Sequence, residues 1–450
     1  MPPEGPTARL PIRATPRDVI LIGVLILLCL AGGMLTFPRL PLKPGIVVDS
    51  SQEWTSARNF QDGEPIYDNM RKRLERELGL RKGVPLHFER NAHPPATVLL
   101  VLPLGRMSYP AAHLAINLVS LLAVGAAVVL IPGRWGVAGS TTFRLTLVAA
   151  LLLSAPLKAQ WFYGQWNAVL LLLLTLIWVC WRHRRFRAAG ALIGLAASLK
   201  LFPAFLGILL LARRQWGGVA AAAAGFVVVN GVTIAVLGWE AYRDYVTEVM
   251  PSLQAFQDRW PNASIWGFFL KLFDAPSGHV VPVCDCPLLA KTLIGLVCLG
   301  TLAIVYLHAR HNGAPGSDDM AFAAAVCGMF LVSPITWEHY FLLAVLPLAV
   351  LWQCTEPTPV NRGLLVLCTA AFVVKPGWLA LRVIGGNGEL AYMFGREPSV
   401  AVPWQTLTVL SFQTYAAAVL LAMCVFCRPA GEPGATATGC DEKRPQASGG

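Results

Sequence analysis

The stretch VILIGVLILLCLAGGMLTF, at residues 19–37, decides the fold class of this chain. It carries no charged side chain and approaches the ~20 apolar residues that an α-helix needs to cross a bilayer. Residues 219–237 and 406–426 have the same character. The 450-residue chain is 55% hydrophobic and 14% charged, whereas soluble domains average about 25% charged residues. The sequence therefore predicts an all-α polytopic membrane protein.

Basic residues are concentrated beside the apolar stretches. One group precedes the first stretch and another lies in a short loop: Arg9, Arg13 and Arg17, then Arg182, Arg184, Arg185 and Arg187. Lys and Arg are enriched in cytoplasmic loops, and this pattern explains the net charge of +11. We therefore expect the lipid bilayer as a partner and no nucleic acid. We expect residues 1–17 to be cytoplasmic. Residues 428–450 are rich in Gly, Pro and charge, which predicts a disordered cytoplasmic tail.

The alternation of apolar stretches and basic loops predicts one transmembrane domain over residues 18–427, with about 12 spans. Its first external loop, 38–107, contains a charged segment at 70–80 whose spacing favours a juxtamembrane helix. The apolar segment at 93–105 is too short to cross a bilayer comfortably, so we expect it to be re-entrant or interfacial. A second external loop is predicted at 238–287.

Ionisable side chains near the apolar zone collect on one side of this predicted topology. Placing such a group in a membrane costs about 2.5–3.5 kcal/mol, which makes a functional role the first hypothesis. The set consists of Asp49, Arg58, His93, Lys158, Lys200, Glu338 and His339, with Gln165, Asn167 and Trp337 beside them. Together they predict one electropositive external cavity with a nearby carboxylate.

Such a cavity suits sugar transfer from a lipid-linked phosphate. A departing phosphate needs cationic groups where negative charge develops, and an acceptor hydroxyl needs a general base within hydrogen-bond reach. Asp49 is the best-placed carboxylate for the base. The cationic candidates are Lys200, Lys158, His339 and Arg58. No carboxylate pair stands beside a further ligand at useful spacing, so we expect neither a metal nor another cofactor, although Asp49 with Glu53 leaves a metal open.

Several of these side chains also have a purely structural explanation that the sequence leaves open. Asp49 can cap the helix that follows it, because Asp is a favoured N-cap residue. Lys158 and Lys200 can extend toward the membrane interface. Gln165 and Asn167 can tie helices together by hydrogen bonds.

An ordered set of short motifs resembles glycosyltransferase family 87, a family of the GT-C fold superfamily. The motifs are Asp49 with GEPIY at 63–67, HPP at 93–95, GQWN at 164–167, the segment from Ala189-Gly190 through Leu199-Lys200 to Pro203, NASIW at 262–266, and Ser333-Pro334 with Trp337 and His339. They follow the order of that family over most of the chain.

The resemblance implies a GT-C-type helical bundle with juxtamembrane helices in the first external loop. It implies a polyprenyl-phosphate-linked donor with mannose as the expected sugar, a glycolipid or glycan acceptor, and inverting transfer. The catalytic aspartate of the family maps onto Asp49, and its Trp-His segment maps onto Trp337 and His339 near the donor phosphate. The full donor site is expected to comprise His339, Lys200, Arg58, Trp337, Glu338, Gln165, Asn167, His93 and Lys158. We therefore expect a multi-pass plasma-membrane enzyme whose site faces outside.

Two other functions compete with transfer. Broken helices and buried charge also mark transport sites, so a transporter or flippase of lipid-linked sugars is one alternative. A non-catalytic protein that only binds a glycolipid is the other, and it would need no general base.

Overall fold

The computed structural model describes residues 16–37, 48–80, 86, 88–131, 137–311, 316–374, 376–384 and 399–427. The predictions for Arg9, Arg13, the start of the first external loop at 38–47 and the tail at 428–450 lie outside these ranges. Within the described residues, regular structure is helical apart from one isolated bridge between Val280 and Ala401. The all-α prediction is therefore confirmed.

The amino-terminal half begins with an apolar helix, continues with three short helices and ends with a series of apolar helices. Their bounds are α1 Pro16–Thr36, α2 Ser50–Gln61, α3 Arg71–Leu78, α4 Pro95–Val101, α5 Tyr109–Leu130, α6 Val137–Leu153, α7 Ala155–Tyr163, α8 Asn167–Arg182, α9 Phe186–Leu199, α10 Gly207–Ala212 and α11 Trp216–Leu237. Two 3₁₀ turns, Leu102–Arg106 and Phe202–Leu206, follow α4 and precede α10. The helix predicted at 70–80 is present as α3.

The carboxyl-terminal half begins with short helices and ends with the second group of apolar helices. Their bounds are α12 Trp239–Asp244, α13 Met250–Ser252, α14 Ile265–Phe273, α15 Pro287–Arg310, α16 Ser317–Val332, α17 Val345–Cys354, α18 Pro359–Val373, α19 Pro376–Ile384, α20 Pro403–Leu407 and α21 Phe412–Phe426. A 3₁₀ helix, Glu338–Ala344, leads into α17. Proline lies within the first two residues of α15, α18 and α20, where its missing N–H costs no hydrogen bond.

Among the residues that the structure describes, four stretches are long and apolar enough to cross a membrane: Tyr109–Leu130, Trp216–Leu237, Pro287–Arg310 and Pro403–Phe426. Thr141–Leu153 and Ala155–Tyr163 make a fifth if this pair, bent by 59°, is one broken span. Shorter apolar helices accompany them, including Asn167–Arg182 and Phe186–Leu199. The protein is a polytopic α-helical membrane protein, whereas the total of about 12 spans remains a prediction.

The core lies around α16, and α11 stands at the periphery. Every residue of α16 from Asp319 to Leu331 is buried, including Phe322 and Phe330, as expected of a helix that is apolar on all sides. Helix α11 is equally apolar but mostly exposed; Val227 is 66% exposed. Exposed apolar side chains on a helix of this length are those that face lipid.

Small residues bring α9 and α11 into backbone contact. A Cβ added at Gly190 would lie 2.0 Å from the carbonyl oxygen of Gly218, and one at Gly194 would lie 2.2 Å from that of Ala222. Close approach through small residues is the usual packing mode of membrane helices. Because α9 ends at Leu199, this contact holds the segment that presents Lys200.

Helix α2 is polar in sequence yet buried along most of its length. Its buried residues include Ser50, Gln52, Glu53 and Asn59. Burying a polar side chain costs free energy unless the side chain is hydrogen-bonded. The hydrogen-bond partners of this helix therefore identify the residues that it positions.

Candidate active site

Asp49 stands immediately before α2, and its side chain does not cap that helix. The backbone of Asp49 is already helical and its carboxylate makes no capping hydrogen bond. Instead, Oδ2 accepts a hydrogen bond from Nε2 of Gln165 at 2.6 Å. The carboxylate therefore faces a residue 116 positions away in the chain, and the local capping explanation does not describe the structure.

The amide of Gln165 joins Asp49 to Lys200. Its Oε1 accepts a hydrogen bond from Lys200 Nζ at 3.1 Å, and Asn167 Oδ1 accepts a second one from the same ammonium at 3.2 Å. An ammonium can only donate, so the orientations of both amides follow from their partners. Lys200 is 5% exposed and its Nζ lies 4.4 Å from the ring centroid of Tyr340, so Lys200 does not reach toward the interface.

Gly164 allows Gln165 to reach Asp49. It ends α7 in the left-handed conformation, with φ of 67°, which glycine adopts without the Cβ clash of other residues. A Cβ at this position would lie 2.8 Å from the Cβ of Ser50 and 3.0 Å from Nδ1 of His113. The turn between α7 and α8 thus packs directly on the start of α2.

Replacing Gly164 by alanine should lower the free energy of unfolding by more than the cost of placing an alanine in the left-handed conformation. The left-handed conformation costs about 1–2 kcal/mol, and the contact with Ser50 adds an overpacking cost of about 1–3 kcal/mol. Gly63→Ala is the matched control, because Gly63 has φ of 75° but nothing within 4 Å of the added Cβ. We expect the thermal unfolding midpoint in detergent to fall further for Gly164→Ala. Equal midpoints for the two variants would contradict this packing.

Glu53 adds His93 and Trp166 to the cluster formed by Asp49, Gln165 and Lys200. Its Oε1 accepts a hydrogen bond from Trp166 Nε1 at 3.1 Å and lies 2.9 Å from His93 Nδ1. The charge of Glu53 acts on both Asp49 and Lys200. From the sequence, Glu53 is expected only as a metal partner of Asp49, although its position four residues after Asp49 places both on one helix face.

His339 closes the cluster from the 3₁₀ helix Glu338–Ala344. It is buried and its ring centroid lies 6.0 Å from that of Tyr163. Burial and the positive charges of Lys200 and His93 hold the pKa of the His339 imidazole well below its usual value, which favours the neutral ring over the cation expected from the sequence. The charge of Glu338 acts on Tyr163. Trp337 immediately precedes this helix, so the three predicted residues 337–339 all belong to one turn beside the cluster.

The structure does not bring Arg58 to Asp49. Arg58 lies nine residues further along α2, about 13 Å at 1.5 Å per residue, and its Nε is 3.4 Å from Glu77 Oε2. Its guanidinium also lies over the ring of Trp54. Lys158, at the start of α7, donates to the carbonyl of Leu153 at 3.1 Å.

A second polar network, which the sequence analysis missed, supports α2 from α5. Ser50 Oγ lies 2.8 Å from His113 Nδ1 and 3.0 Å from the hydroxyl of Tyr109. Asn117 Nδ2 lies 3.0 Å from His113 Nε2. His113 and Asn117 are four residues apart, which places them on one face of a helix. This spacing is the sequence feature that could have indicated the network. This network anchors the residue that follows Asp49.

The surroundings make Asp49 a stronger base than an ordinary aspartate. Burial raises the pKa of this carboxyl, while the hydrogen bond from Gln165 and the positive charges of His93 and Lys200 oppose the rise. A half-buried carboxylate that shares an amide partner with an ammonium can accept a proton at one end, while the ammonium stabilises an anion at the other. Within the described ranges, no three or more His, Cys, Asp or Glu side chains are grouped so that they could hold a metal ion.

Comparison with known proteins identifies a related family. The sequence profile of glycosyltransferase family 87 matches residues 91–334, a little more than half of the chain. Asp49 and Glu53 precede the matched region, whereas Gln165, Lys200 and Ser333 lie within it.

Two curated relatives carry the same printed name, polyprenol-phosphate-mannose-dependent alpha-(1-2)-phosphatidylinositol pentamannoside mannosyltransferase. The one from Mycolicibacterium smegmatis is 30% identical over 260 residues, which is 55% of this chain and 55% of the relative. The one from Mycobacterium tuberculosis is 26% identical over 333 residues, 71% of this chain and 69% of the relative. The chain thus aligns with about half of the first relative and about two thirds of the second.

Among solved structures, the chain is similar to the crystal structure of ArnT from Cupriavidus metallidurans bound to undecaprenyl phosphate. The identity is 15%, the match covers 92% of this chain and 77% of that chain, and the TM-score is 0.37.

Proposed function

Because the chain belongs to glycosyltransferase family 87, we propose that it is a membrane glycosyltransferase with a polyprenyl-phosphate-linked sugar donor. Mannose is the proposed sugar, since both relatives described above are named for a polyprenol-phosphate-mannose donor. The acceptor is a hydroxyl group of a glycolipid or glycan. The phosphatidylinositol mannosides in the names of these relatives support a lipid acceptor.

The observation that carries this proposal is the hydrogen-bonded series Asp49–Gln165–Lys200. Asp49 is the general base that removes the proton of the acceptor hydroxyl, and that oxygen attacks the anomeric carbon of the donor sugar. The ammonium of Lys200 stabilises the negative charge of the departing polyprenyl phosphate. Gln165, bonded to both groups, keeps them at a set separation. A single displacement from the face opposite the phosphate inverts the anomeric carbon.

The remaining predicted donor residues divide into two groups. Asn167 belongs with Lys200 on the phosphate side, since it accepts a hydrogen bond from the ammonium. His339 lies near Lys200 as well, and because burial and the charge of Lys200 lower its pKa, we assign it to the phosphate side as a neutral imidazole that donates a hydrogen bond. Trp337, Glu338 and His93 contribute to the walls of the site. Arg58 and Lys158 stay candidates for guiding the phosphate into the site rather than for the reaction.

We place the site on the outer face of the plasma membrane and treat residues 18–427 as the catalytic unit. The external loops 38–107 and 238–287 and the cytoplasmic ends at 1–17 and 428–450 complete this arrangement. The support is the basic loop at 182–187, which the positive-inside rule assigns to the cytoplasm. Helix α8 connects that loop to Asn167 at its other end.

A transfer assay tests the proposal directly. Purified protein in nanodiscs would receive radiolabelled polyprenyl-phosphate-mannose and a mixed membrane-lipid extract, with and without chelator. Asp49→Asn would run beside the wild type. We expect label to enter a new lipid product with the wild type alone, and the mobility of that product would begin to identify the acceptor.

The transfer assay and a second assay in sealed vesicles separate the alternatives. Donor binding without transfer by the wild type would favour a non-catalytic binding protein. Movement of intact donor between leaflets of a sealed vesicle, again without a new product, would favour a flippase.

The raised pKa of Asp49 predicts a pH dependence. The base acts only when deprotonated, so kcat/KM should fall as the pH drops through the pKa of Asp49. Because burial raises that pKa, the acid limb should lie above the value of about 4 of an ordinary aspartate. Transfer rates at subsaturating donor from pH 4 to 8 would measure it. A rate that stays constant down to pH 4 would exclude a base with a raised pKa.

A further inference from the structure

Glu53 is a buried carboxylate with one oxygen in use and one without a partner. It is 1% exposed. Oε1 accepts the indole N–H of Trp166 and lies beside His93, whereas Oε2 is buried and makes no hydrogen bond. An unsatisfied buried acceptor, and a charged one above all, is strongly unfavourable. A hydrogen-bond donor that binds here would therefore be stabilised.

Asn167 has a hydrogen-bond donor without a partner, whereas Glu53 has an acceptor without one. Its Oδ1 is held by the Lys200 ammonium, which fixes the amide so that Nδ2 is the free donor. Nδ2 is buried and has no hydrogen-bond partner. Asn167 directly follows Trp166, the residue that holds Glu53, and the charges of Glu53 and Lys200 interact. An unfilled acceptor and an unfilled donor thus occur in one cluster.

The chemistry of this pair fits a sugar hydroxyl. A hydroxyl group donates one hydrogen bond and accepts others, so hydroxyls of one ring can satisfy both Glu53 Oε2 and Asn167 Nδ2. A simple cation could satisfy only the carboxylate, and a phosphate only the amide. The bond to the carboxylate is charge-assisted and is among the stronger ones in proteins.

We propose that Glu53 Oε2 and Asn167 Nδ2 form a subsite that binds hydroxyl groups of a hexose next to Asp49, and that this subsite determines sugar specificity. The proposal rests on the proposed transferase function. The hexose is either the transferred sugar or the acceptor sugar, and the two share the hydroxyl chemistry that the subsite recognises.

The test compares each natural substrate with its monodeoxy analogues in wild type and Glu53→Gln. Glutamine keeps an oxygen for Trp166 but places an amide where Oε2 was. We expect the wild type to prefer the natural sugar over one monodeoxy analogue by about ten- to a hundredfold in kcat/KM, the effect of one hydrogen bond to a charged group. We expect Glu53→Gln to lose most of that preference. Monodeoxy donors and monodeoxy acceptors form separate arms, so the arm that responds identifies the sugar.

Glu240→Gln serves as the matched control. Glu240 lies in the second external loop, its side chain is 65% exposed, and it pairs with Arg243. It should keep the preference of the wild type. If Glu53→Gln slows the natural sugar and every analogue by the same factor, Glu53 is structural or holds water, and the subsite is overturned. If the wild type transfers no sugar at all, the proposed function fails before the subsite is tested.

Discussion

Asp49→Asn should lower sugar transfer by about a hundredfold or more, the scale expected when a general base is lost. Asparagine has nearly the same shape, and its side-chain oxygen can still accept the hydrogen bond that Gln165 donates at 2.6 Å. The variant should therefore fold and bind the donor, since it lacks only the group that takes the proton. Measurements of kcat, donor affinity and thermal unfolding midpoint on one preparation would separate these effects.

Asp68→Asn is a suitable control for this experiment. Asp68 lies between α2 and α3, is exposed, and accepts a hydrogen bond from the backbone N–H of Asn69. It should retain the activity of the wild type. Near wild-type turnover by Asp49→Asn would remove Asp49 from the role of base, and a lower unfolding midpoint matching the lost activity would show that Asp49 acts through stability.

Lys200→Met should lower kcat/KM by about a hundred- to a thousandfold, as reported generally for the loss of one electrostatic contact to a developing anion. Methionine preserves much of the length of the side chain but cannot donate to Gln165 and Asn167 or oppose the charge of the phosphate. Because the ammonium opposes the rise in the pKa of Asp49, its removal should also shift the acid limb of the residual activity to higher pH.

A second buried lysine provides the contrast that this prediction needs. Lys271 on α14 is fully buried and donates to the backbone carbonyls of Trp260, Asn262 and Leu410. Lys271→Met should therefore lower the unfolding midpoint, because three buried carbonyls lose a donor. Lys200→Met should lower the midpoint less, because only two side-chain oxygens lose a donor, while turnover falls much further than it does for Lys271→Met. A Lys200→Met variant that transfers sugar at close to the wild-type rate would exclude Lys200 from the phosphate side of the site.

Much of the site could be predicted from composition and motif order, because the membrane makes polar residues conspicuous. An ionisable residue in an apolar stretch is costly, so Lys200 and His339 stood out without any structure. Arg58 stood out for the same reason, yet the structure pairs it with Glu77 on α3. Sequence shows that a charge needs a partner but not which partner the fold supplies.

The sequence by itself determined the fold class and the helices, since apolar length and helical spacing are local properties. Only the tertiary structure decided which residues meet. Gly164 lets the turn after α7 contact Ser50, Gln165 then joins Asp49 to Lys200, and Glu53 emerges as a buried carboxylate with one unfilled oxygen. The physical reason is distance along the chain: Asp49 and Gln165 are 116 residues apart. Such contacts depend on how whole helices pack, and no local pattern encodes that packing.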